Sequence, residues 1–271
     1  METGMNRSDA DPASLDALTA DFYRSALDVL RQADVPFLLG GAYALAKYTG
    51  IVRHTKDLDL FVRRADVDRA LAALAKAGWR TEITFSHWIG KAFNGQDFID
   101  LIYSSGNGLC AVDDAWFEHA AAAEVFGGPV LLCPPEEILW QKAFIQERER
   151  FDGADVAHLL RACGRMLDWP RLLDRFGPHW PVLFGHLVLF AYIYPSEKDC
   201  IPEAILCQLT ARWQQGAGGP STEAVCRGVL LSRLQYLPDL ERGRCRDPRL
   251  PPLGGMSAEQ VKVWTHAAFG R

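Results

Sequence analysis

The sequence predicts an α+β fold, in which a mixed β-sheet flanked by helices is followed by a helical C-terminal domain. Up to about residue 132, short apolar runs bounded by glycine or proline alternate with helical patterns, as in a sheet covered by helices. From Pro134 onward the pattern is helical to about Leu209, and Glu136 and Glu137 stand at the positive end of the first helix dipole. We therefore divide the chain into a flexible tail at residues 1–13, a core domain at 14–132 and a helical domain at 133–271 whose end is rich in loops.

The individual elements of the core domain follow from hydrophobic periodicity and from turn residues. Ser14 caps the first helix, whose apolar residues recur on one face. Gly95 and Gln96 form a tight turn between two strands. Segments with helical periodicity are 14–33, 42–48, 66–77 and 113–123. Segments with the length and apolar content of strands are 37–39, 57–62, 79–85, 88–93, 97–103 and 129–132.

The composition argues against several classes of protein. With 271 residues, 49% hydrophobic and 23% charged, the chain is typical of a globular protein, and its net charge of −5 argues against a uniformly basic nucleic-acid coat. Seven cysteines without C-x-x-C spacing are expected to be thiols of a cytoplasmic protein. The longest apolar stretch, Val182 to Tyr194, predicts a buried core helix too short to span a bilayer, so we expect no membrane association.

Two carboxylates mark the start of the predicted strand at 57–62. The side chains of Asp57 and Asp59 point to one face of the strand and repel each other unless a divalent cation lies between them. The pair is therefore a candidate Mg²⁺ or Mn²⁺ site, although D-x-D pairs also cap loops and face solvent. Polar residues precede the pair and apolar residues follow it. This order is the reverse of that in haloacid dehalogenases and argues against that class.

Two further features support a site for phosphate and metal. The strand at 37–39 leads through Gly40 and Gly41 into a helix, so backbone N–H groups there can bind a phosphate at close range, although a plain turn is the alternative. Asp100 lies in the middle of a strand between apolar residues, where a buried carboxylate needs a partner or a metal. We predict that it is a third metal ligand, and the exposed face of an edge strand is the alternative.

These motifs together resemble a known superfamily. The glycine pair, then Thr55-Lys56-Asp57-Leu58-Asp59-Leu60, then Ile99-Asp100-Leu101 are similar to the minimal nucleotidyltransferases related to DNA polymerase beta. The resemblance covers roughly residues 35–160 and implies a nucleotidyltransferase-type sheet, an NTP substrate and Mg²⁺ or Mn²⁺ held by the three aspartates. The downstream segment is most similar to the toxin-type (AbiEii-like) and antibiotic-modifying branches.

The resemblance also implies roles for residues in the second half of the motif. Lys142 would contact the triphosphate, Asp152 or Asp155 would position the nucleotide or the lysine, and Arg53 would help Lys142 to stabilise the departing charge. A solvated helix with Lys142 on its wet face is the alternative. Many members have serine as the second residue of the glycine motif, so Gly41 removes a hydroxyl contact and leaves the strength of NTP binding open.

The implied reaction transfers a nucleoside monophosphate from an NTP to an acceptor hydroxyl and releases pyrophosphate by a two-metal mechanism. Asp57 and Asp59 would bridge two ions, and Asp100 would bind the second and serve as general base. The acceptor stays open among tRNA, a protein and a small molecule such as an antibiotic, and a toxin would have an antitoxin partner. The alternative of a different class is a catalytically silent protein of this fold that binds a nucleotide or a partner.

Overall fold

The computed structural model describes residues 17–53, 55, 57–216 and 224–268. The predicted tail, the cap Ser14, and residues His54 and Lys56 lie outside these residues. The α-helices are α1 (Ala17–Gln32), α2 (Gly41–Thr49), α3 (Val67–Lys76), α4 (Asp114–Glu118), α5 (Pro135–Ala143), α6 (Gly153–Cys163), α7 (Trp169–Phe176), α8 (Trp180–Ile193), α9 (Glu203–Gln214), α10 (Leu237–Glu241) and α11 (Ala258–His266). The strands are β1 (Leu38–Leu39), β2 (Asp57–Phe61), β3 (Arg80–Phe85), β4 (Ile89–Asn94), β5 (Asp97–Ile102), β6 (Ala121–Val125) and β7 (Gly128–Leu132).

The strands form one mixed sheet in the order β3-β4-β5-β2-β1-β7-β6. β2 runs parallel to β5 and β1 runs parallel to β7, whereas the other neighbouring pairs are antiparallel. This seven-stranded sheet with flanking helices and a helical C-terminal part confirms the predicted fold class. The domain boundary near residue 133 stays a prediction.

The two faces of the sheet differ in chemistry because side chains alternate along each strand. Apolar side chains of β2 and β5 point to one face and are fully buried there: Leu58, Leu60, Ile99 and Leu101. Helix α3 covers this face, since a Cβ placed on Gly90, the register partner of Leu101, would lie 3.3 Å from Cδ1 of Leu71. The opposite face carries the three predicted carboxylates.

Residues 121–125 form strand β6, so the prediction of a helix over 113–123 is wrong beyond Glu118. Phe126 and Gly127 have φ angles of 55° and 76°, which are typical of a tight hairpin turn. This turn folds β6 back onto β7, with Ala123 opposite Val130. Alanine has the highest helix propensity of all residues, but the preference is small per residue, and pairing at the edge of the sheet outweighs it.

The acidic residues at the start of α5 are buried, which the dipole interpretation of the sequence did not foresee. Glu136 is 4% exposed and Glu137 is fully buried. Arg171 of α7 pairs with both carboxylates, and Arg175 donates to Glu137 over 3.1 Å. Arg175 also makes two bonds of 2.6 and 2.8 Å to Asp113, which precedes α4. These charged pairs hold α5 and α7 against the segment that joins β5 to α4.

The C-terminal residues return to the sheet. The indole of Trp264 on α11 packs edge-on against Phe85 and Trp88, with ring centroids 5.0 and 5.3 Å apart. The guanidinium of Arg233 lies 4.3 Å from the centroid of the same indole and pairs with Glu147 over 3.2 Å. The segment at 224–268 therefore connects one end of the sheet to the loop that follows α5.

Replacing Trp264 with alanine should detach this segment. We expect a loss of about 2–3 kcal/mol in the free energy of unfolding, below the range for a fully buried tryptophan because the indole is partly exposed. Thermal denaturation checks the loss, and limited proteolysis checks where the chain opens. Trp213→Ala is the matched control, because Trp213 is 59% exposed and should change stability little. Equal losses in both variants would contradict the anchoring role.

One stretch, Trp169–Ile193, is long and apolar enough by length and composition to cross a membrane, but 33% of its most apolar window is buried within the protein. On α8, Leu183, Leu187 and Phe190 are buried, whereas Val188 and Tyr192 are exposed. The predicted core helix is thus buried on one face. A core helix passes the same test of length and composition, so the expected lack of membrane association stays a prediction.

Candidate functional site

The three predicted carboxylates lie together on the open face of the sheet. β2 and β5 are parallel in a register that places Asp59 beside Asp100, and Asp57 shares the face because it stands two residues before Asp59. One oxygen from each carboxylate lies within 4.8 Å of the others. Thr55 donates its hydroxyl to Oδ1 of Asp57 and so fixes that side chain. The cluster is compact enough for oxygens of all three residues to bind one group.

The electrostatics of the cluster favour a bound cation. Burial, together with the charges of Asp57 and Asp100, raises the pKa of Asp59 to about 7. Burial also raises the pKa of Asp100, although Lys91 opposes this shift. Carboxylates in such surroundings are stabilised by positive charge, and carboxylate oxygens are the ligands that Mg²⁺ and Mn²⁺ prefer. The residues present therefore fit a divalent cation.

The turn at Gly40 and Gly41 packs against Asp59. Gly40 donates its backbone N–H to the carbonyl of Asp59 over 3.0 Å, and α2 begins at the next residue. Gly41 has a φ angle of +55°, and a Cβ there would overlap Oδ2 of Asp59. The first N–H groups of α2 have no partner within the helix and are suited to bind an anion. A serine at position 41 would not fit this arrangement.

Replacing Gly41 with alanine should displace Asp59. We expect a loss of about 1–2 kcal/mol in stability from the left-handed backbone, and a loss of cation-dependent activity of roughly tenfold or more. Gly50→Ala is the matched control, because Gly50 has a φ angle of +73° and a Cβ added there would meet nothing within 4 Å. Thermal denaturation and an NTP turnover assay separate the two effects. Full activity of the Gly41 variant would contradict the close contact.

A second charged cluster surrounds Lys142 on the helical side of the site. The Nζ of Lys142 lies 2.9 Å from Asp152 and 2.7 Å from Asp155, and its side chain is 14% exposed. Arg53 pairs with Asp155, and Arg150 makes two bonds of 2.9 Å to Asp152. Three cations thus face two carboxylates, which leaves one positive charge in excess.

This excess charge acts on the carboxylate cluster. Lys142 and Arg150 both lower the pKa of Asp59, against the larger effects of burial and of its acidic neighbours. Burial raises the pKa of Asp152, but Arg150 and Lys142 outweigh that effect and the pKa is lowered overall. Asp152 is therefore held ionised as a partner of both cations.

The structure brings together the residues that the sequence singled out. Asp57, Asp59 and Asp100 lie beside Gly40 and Gly41, and the second cluster contains Arg53, Lys142, Asp152 and Asp155. The side chain of Lys142 is held by two aspartates and is not on a wet helix face. The catalytic and binding roles of all these residues stay predictions.

Two charged residues of the site were given no function on the basis of the sequence. Lys91 on β4 lies opposite Asp100, and its Nζ is 2.5 Å from Oδ1 of that aspartate. The tight turn at Gly95 and Gln96 could have revealed it, because that turn fixes the register of β4 against β5. Arg150, which received no role from the sequence, lies in a loop whose position the sequence does not determine.

Comparison with known proteins adds a family and several similar structures. A family model described as "Uncharacterised nucleotidyltransferase" matches residues 19–178, a span that contains every site residue named above. No curated protein matches the chain. The antibiotic-resistance factor ANT(2'')-Ia is 17% identical, with a TM-score of 0.45 over 64% of this chain and 98% of that one. The lincosamide antibiotic adenylyltransferase LnuA in its lincomycin-bound form is 15% identical, with a TM-score of 0.38 over 52% and 94%. JHP933 from Helicobacter pylori is 14% identical, with a TM-score of 0.36 over 74% and 97%.

Proposed function

Because the chain belongs to the family described as uncharacterised nucleotidyltransferases, we propose that it transfers a nucleoside monophosphate from an NTP to an acceptor hydroxyl and releases pyrophosphate. The observation that carries this proposal is the convergence of Asp57, Asp59 and Asp100 beside the turn at Gly40 and Gly41. A set of carboxylates next to free helix N–H groups can hold both parts of a metal–triphosphate substrate.

The carboxylates would hold two Mg²⁺ or Mn²⁺ ions, which supply positive charge to the triphosphate and lower the pKa of the acceptor hydroxyl. Asp100 lies at the edge of the cluster nearest β4, so we assign to it the orientation of the acceptor hydroxyl and the removal of its proton. The N–H groups of Gly41 and of the residues that follow it at the start of α2 bind phosphate oxygens. Gly40, whose own N–H donates to the carbonyl of Asp59, lets the turn pack closely against β2. The acceptor oxygen attacks the α-phosphorus, the bond to the β-phosphate breaks, and pyrophosphate leaves.

Lys142 and Arg53 would stabilise the leaving pyrophosphate. Asp152 and Asp155 support this assignment because both bind Nζ of Lys142 and thus fix where its charge lies. We therefore assign to the two aspartates the positioning of the lysine. Preorganised charge of this kind is a large contribution to phosphoryl-transfer catalysis.

We also propose a cytoplasmic location for the protein. All seven cysteines are unpaired thiols, which supports a reducing, cytoplasmic location. The acceptor is a tRNA, a protein or a small molecule, and an antitoxin partner is expected if transfer inhibits growth. Growth inhibition on expression that Asp57→Ala relieves would support a toxin.

The direct test mixes the protein with Mg²⁺ and each α-labelled NTP, and measures pyrophosphate release and label transfer to candidate acceptors. We expect both signals from the wild-type protein, and their loss by roughly a hundredfold or more in the Asp57→Ala, Asp59→Ala double variant. Full activity of the folded double variant would end the proposal. Binding of Mg²⁺ and NTP without pyrophosphate release or label transfer to any acceptor would favour a catalytically silent nucleotide-binding protein.

A further inference from the structure

Two phenylalanines extend the site face of the sheet away from the carboxylates. Phe98 stands two residues before Asp100 on β5, and Phe93 is its register partner on β4, with ring centroids 6.0 Å apart. Both rings are partly exposed and, among the described residues, lie outside the hydrophobic core. Aromatic rings that stay exposed beside a reactive carboxylate are available to a ligand.

Lys91 connects the first ring to the candidate general base. Its Nζ lies 4.2 Å from the centroid of Phe98 and 2.5 Å from Oδ1 of Asp100. An ammonium group carries three N–H donors, and the contact with Asp100 uses one of them. Lys91 can therefore bind a phosphate of a ligand while it remains paired with Asp100.

Arg80 lies over the second ring. It is the register partner of Phe93 on β3, and its Cζ lies 3.7 Å from the centroid of that ring. Arg80 also pairs with Glu82, but both side chains are exposed, at 62% and 40%, so the pair contributes little and can exchange for a stronger anion. The face of the sheet next to Asp100 thus alternates aromatic rings with cations.

We propose that these four residues, Phe98, Lys91, Phe93 and Arg80, form an acceptor stripe that binds a nucleotide. This inference rests on the proposed function and names its acceptor class: a nucleoside with a phosphate and a free ribose hydroxyl. The hydroxyl lies at Asp100, the phosphate at Lys91 and Arg80, and the base on the phenylalanine rings. Stacking of bases on aromatic rings next to basic side chains is how single-stranded nucleic acids are commonly bound.

The dimensions and charges of the stripe fit this acceptor. From β5 to β3 it crosses two inter-strand spacings, or about 10 Å, enough for a terminal nucleotide and its phosphate. Lys91 and Arg80 offer N–H donors to the phosphate of the acceptor, and Asp100 and Glu82 are their partners without it. In the transfer step the acceptor O–H gives its proton to Asp100, its oxygen bonds to the α-phosphorus, and pyrophosphate departs with the electrons of the broken bond.

The first experiment measures ligand binding to the stripe under conditions in which no catalysis occurs. A fluorescein-labelled short oligoribonucleotide with a free 3′ hydroxyl is titrated with the protein in EDTA at low salt, and its anisotropy is measured. We expect Arg80→Glu and Phe93→Ala each to raise the Kd about tenfold or more, with binding weakened by salt. Lys76→Glu is the control, because Lys76 is an exposed lysine on α3, which covers the opposite face. An equal Kd for wild-type protein and both stripe variants would overturn the inference.

Label transfer then identifies the source of the nucleotide. Wild-type protein, Mg²⁺ and an α-labelled NTP are combined with a ribonucleoside 5′-monophosphate, the oligoribonucleotide, an aminoglycoside or a cell protein extract. We expect label on a nucleotide acceptor, and Arg80→Glu should raise the KM for that acceptor with little change in kcat. Label on the aminoglycoside or on protein alone would overturn the inference and leave the proposed function standing. If the protein neither binds NTP nor releases pyrophosphate with any acceptor, both the acceptor stripe and the proposed function are wrong.

Discussion

Replacing Asp59 with asparagine is expected to reduce nucleotidyl transfer by roughly a hundredfold or more, because the variant loses a charged ligand at the centre of the carboxylate cluster. The same change should stabilise the metal-free protein above pH 7. Burial and the charges of Asp57 and Asp100 raise the pKa of Asp59 from its ordinary value of 3.8 to about 7 in the folded protein. The folded state therefore binds a proton that the unfolded chain releases.

The sign of the pH dependence follows from this difference. Below about pH 4 both states hold the proton, so the substitution should matter little there. Between about pH 4 and pH 7 the folded state keeps the proton while the unfolded chain loses it, so stability falls as the pH rises. Above pH 7 the charged carboxylate carries its full penalty, and Asp59→Asn removes that penalty.

Thermal denaturation of the metal-free proteins at pH 4 and pH 8 measures this effect. The expected result is an asparagine variant with a higher Tm than wild type at pH 8, and nearly equal Tm values at pH 4. Asp97→Asn is the matched control, because Asp97 starts the same strand as Asp100 but points to the other face. A lower Tm for the Asp59 variant at pH 8 would contradict the burial of an uncompensated charge.

Replacing Lys142 with methionine is expected to lower both stability and activity. Asp152 and Asp155 are less than a tenth exposed, and each would keep a single arginine partner. Breaking buried ion pairs in this way costs about 3 kcal/mol, or a fall of roughly 6–12 °C in Tm for a protein of this size. Loss of the fixed cation should reduce kcat by roughly a hundredfold.

Two further variants separate these effects. Lys47→Met removes an exposed lysine from α2 and should change neither property much. Adding Asp152→Asn and Asp155→Asn to Lys142→Met should recover much of the stability, because no buried carboxylate is then left charged without the lysine. Activity should stay low, because the cation is still missing. Recovery of activity together with stability would contradict a role for Lys142 in charge stabilisation.

The sheet side of the site could be predicted because its geometry is local. Alternation along a strand places Asp57 and Asp59 on one face, and a carboxylate among apolar neighbours identified Asp100. The position of Lys91 opposite Asp100 could also have been predicted, since a two-residue turn fixes which residues of the hairpin face each other. The order of the glycine turn and the three aspartates along the chain then indicated a nucleotidyltransferase.

The helical side could not be predicted to the same depth because its contacts join residues far apart in the chain. Glu136 and Glu137 have the positions of ordinary helix-start acids, and nothing local shows that Arg171 and Arg175 bury them. Gly41 is a similar case. Many superfamily members have serine at this position, so the sequence suggests that a hydroxyl is missing. In the structure Asp59 leaves no room for a side chain at position 41.

The three carboxylates beside the glycine turn are proposed to bind divalent cations together, and every catalytic role assigned above depends on this. Electron paramagnetic resonance of Mn²⁺, titrated into the protein with and without a non-hydrolysable NTP, tests it most directly. We expect Mn²⁺ binding by wild type and by Asp97→Asn that tightens with the nucleotide, and its loss in Asp59→Asn and in Asp100→Asn. Unchanged Mn²⁺ binding in the folded Asp59 and Asp100 variants would contradict the claim.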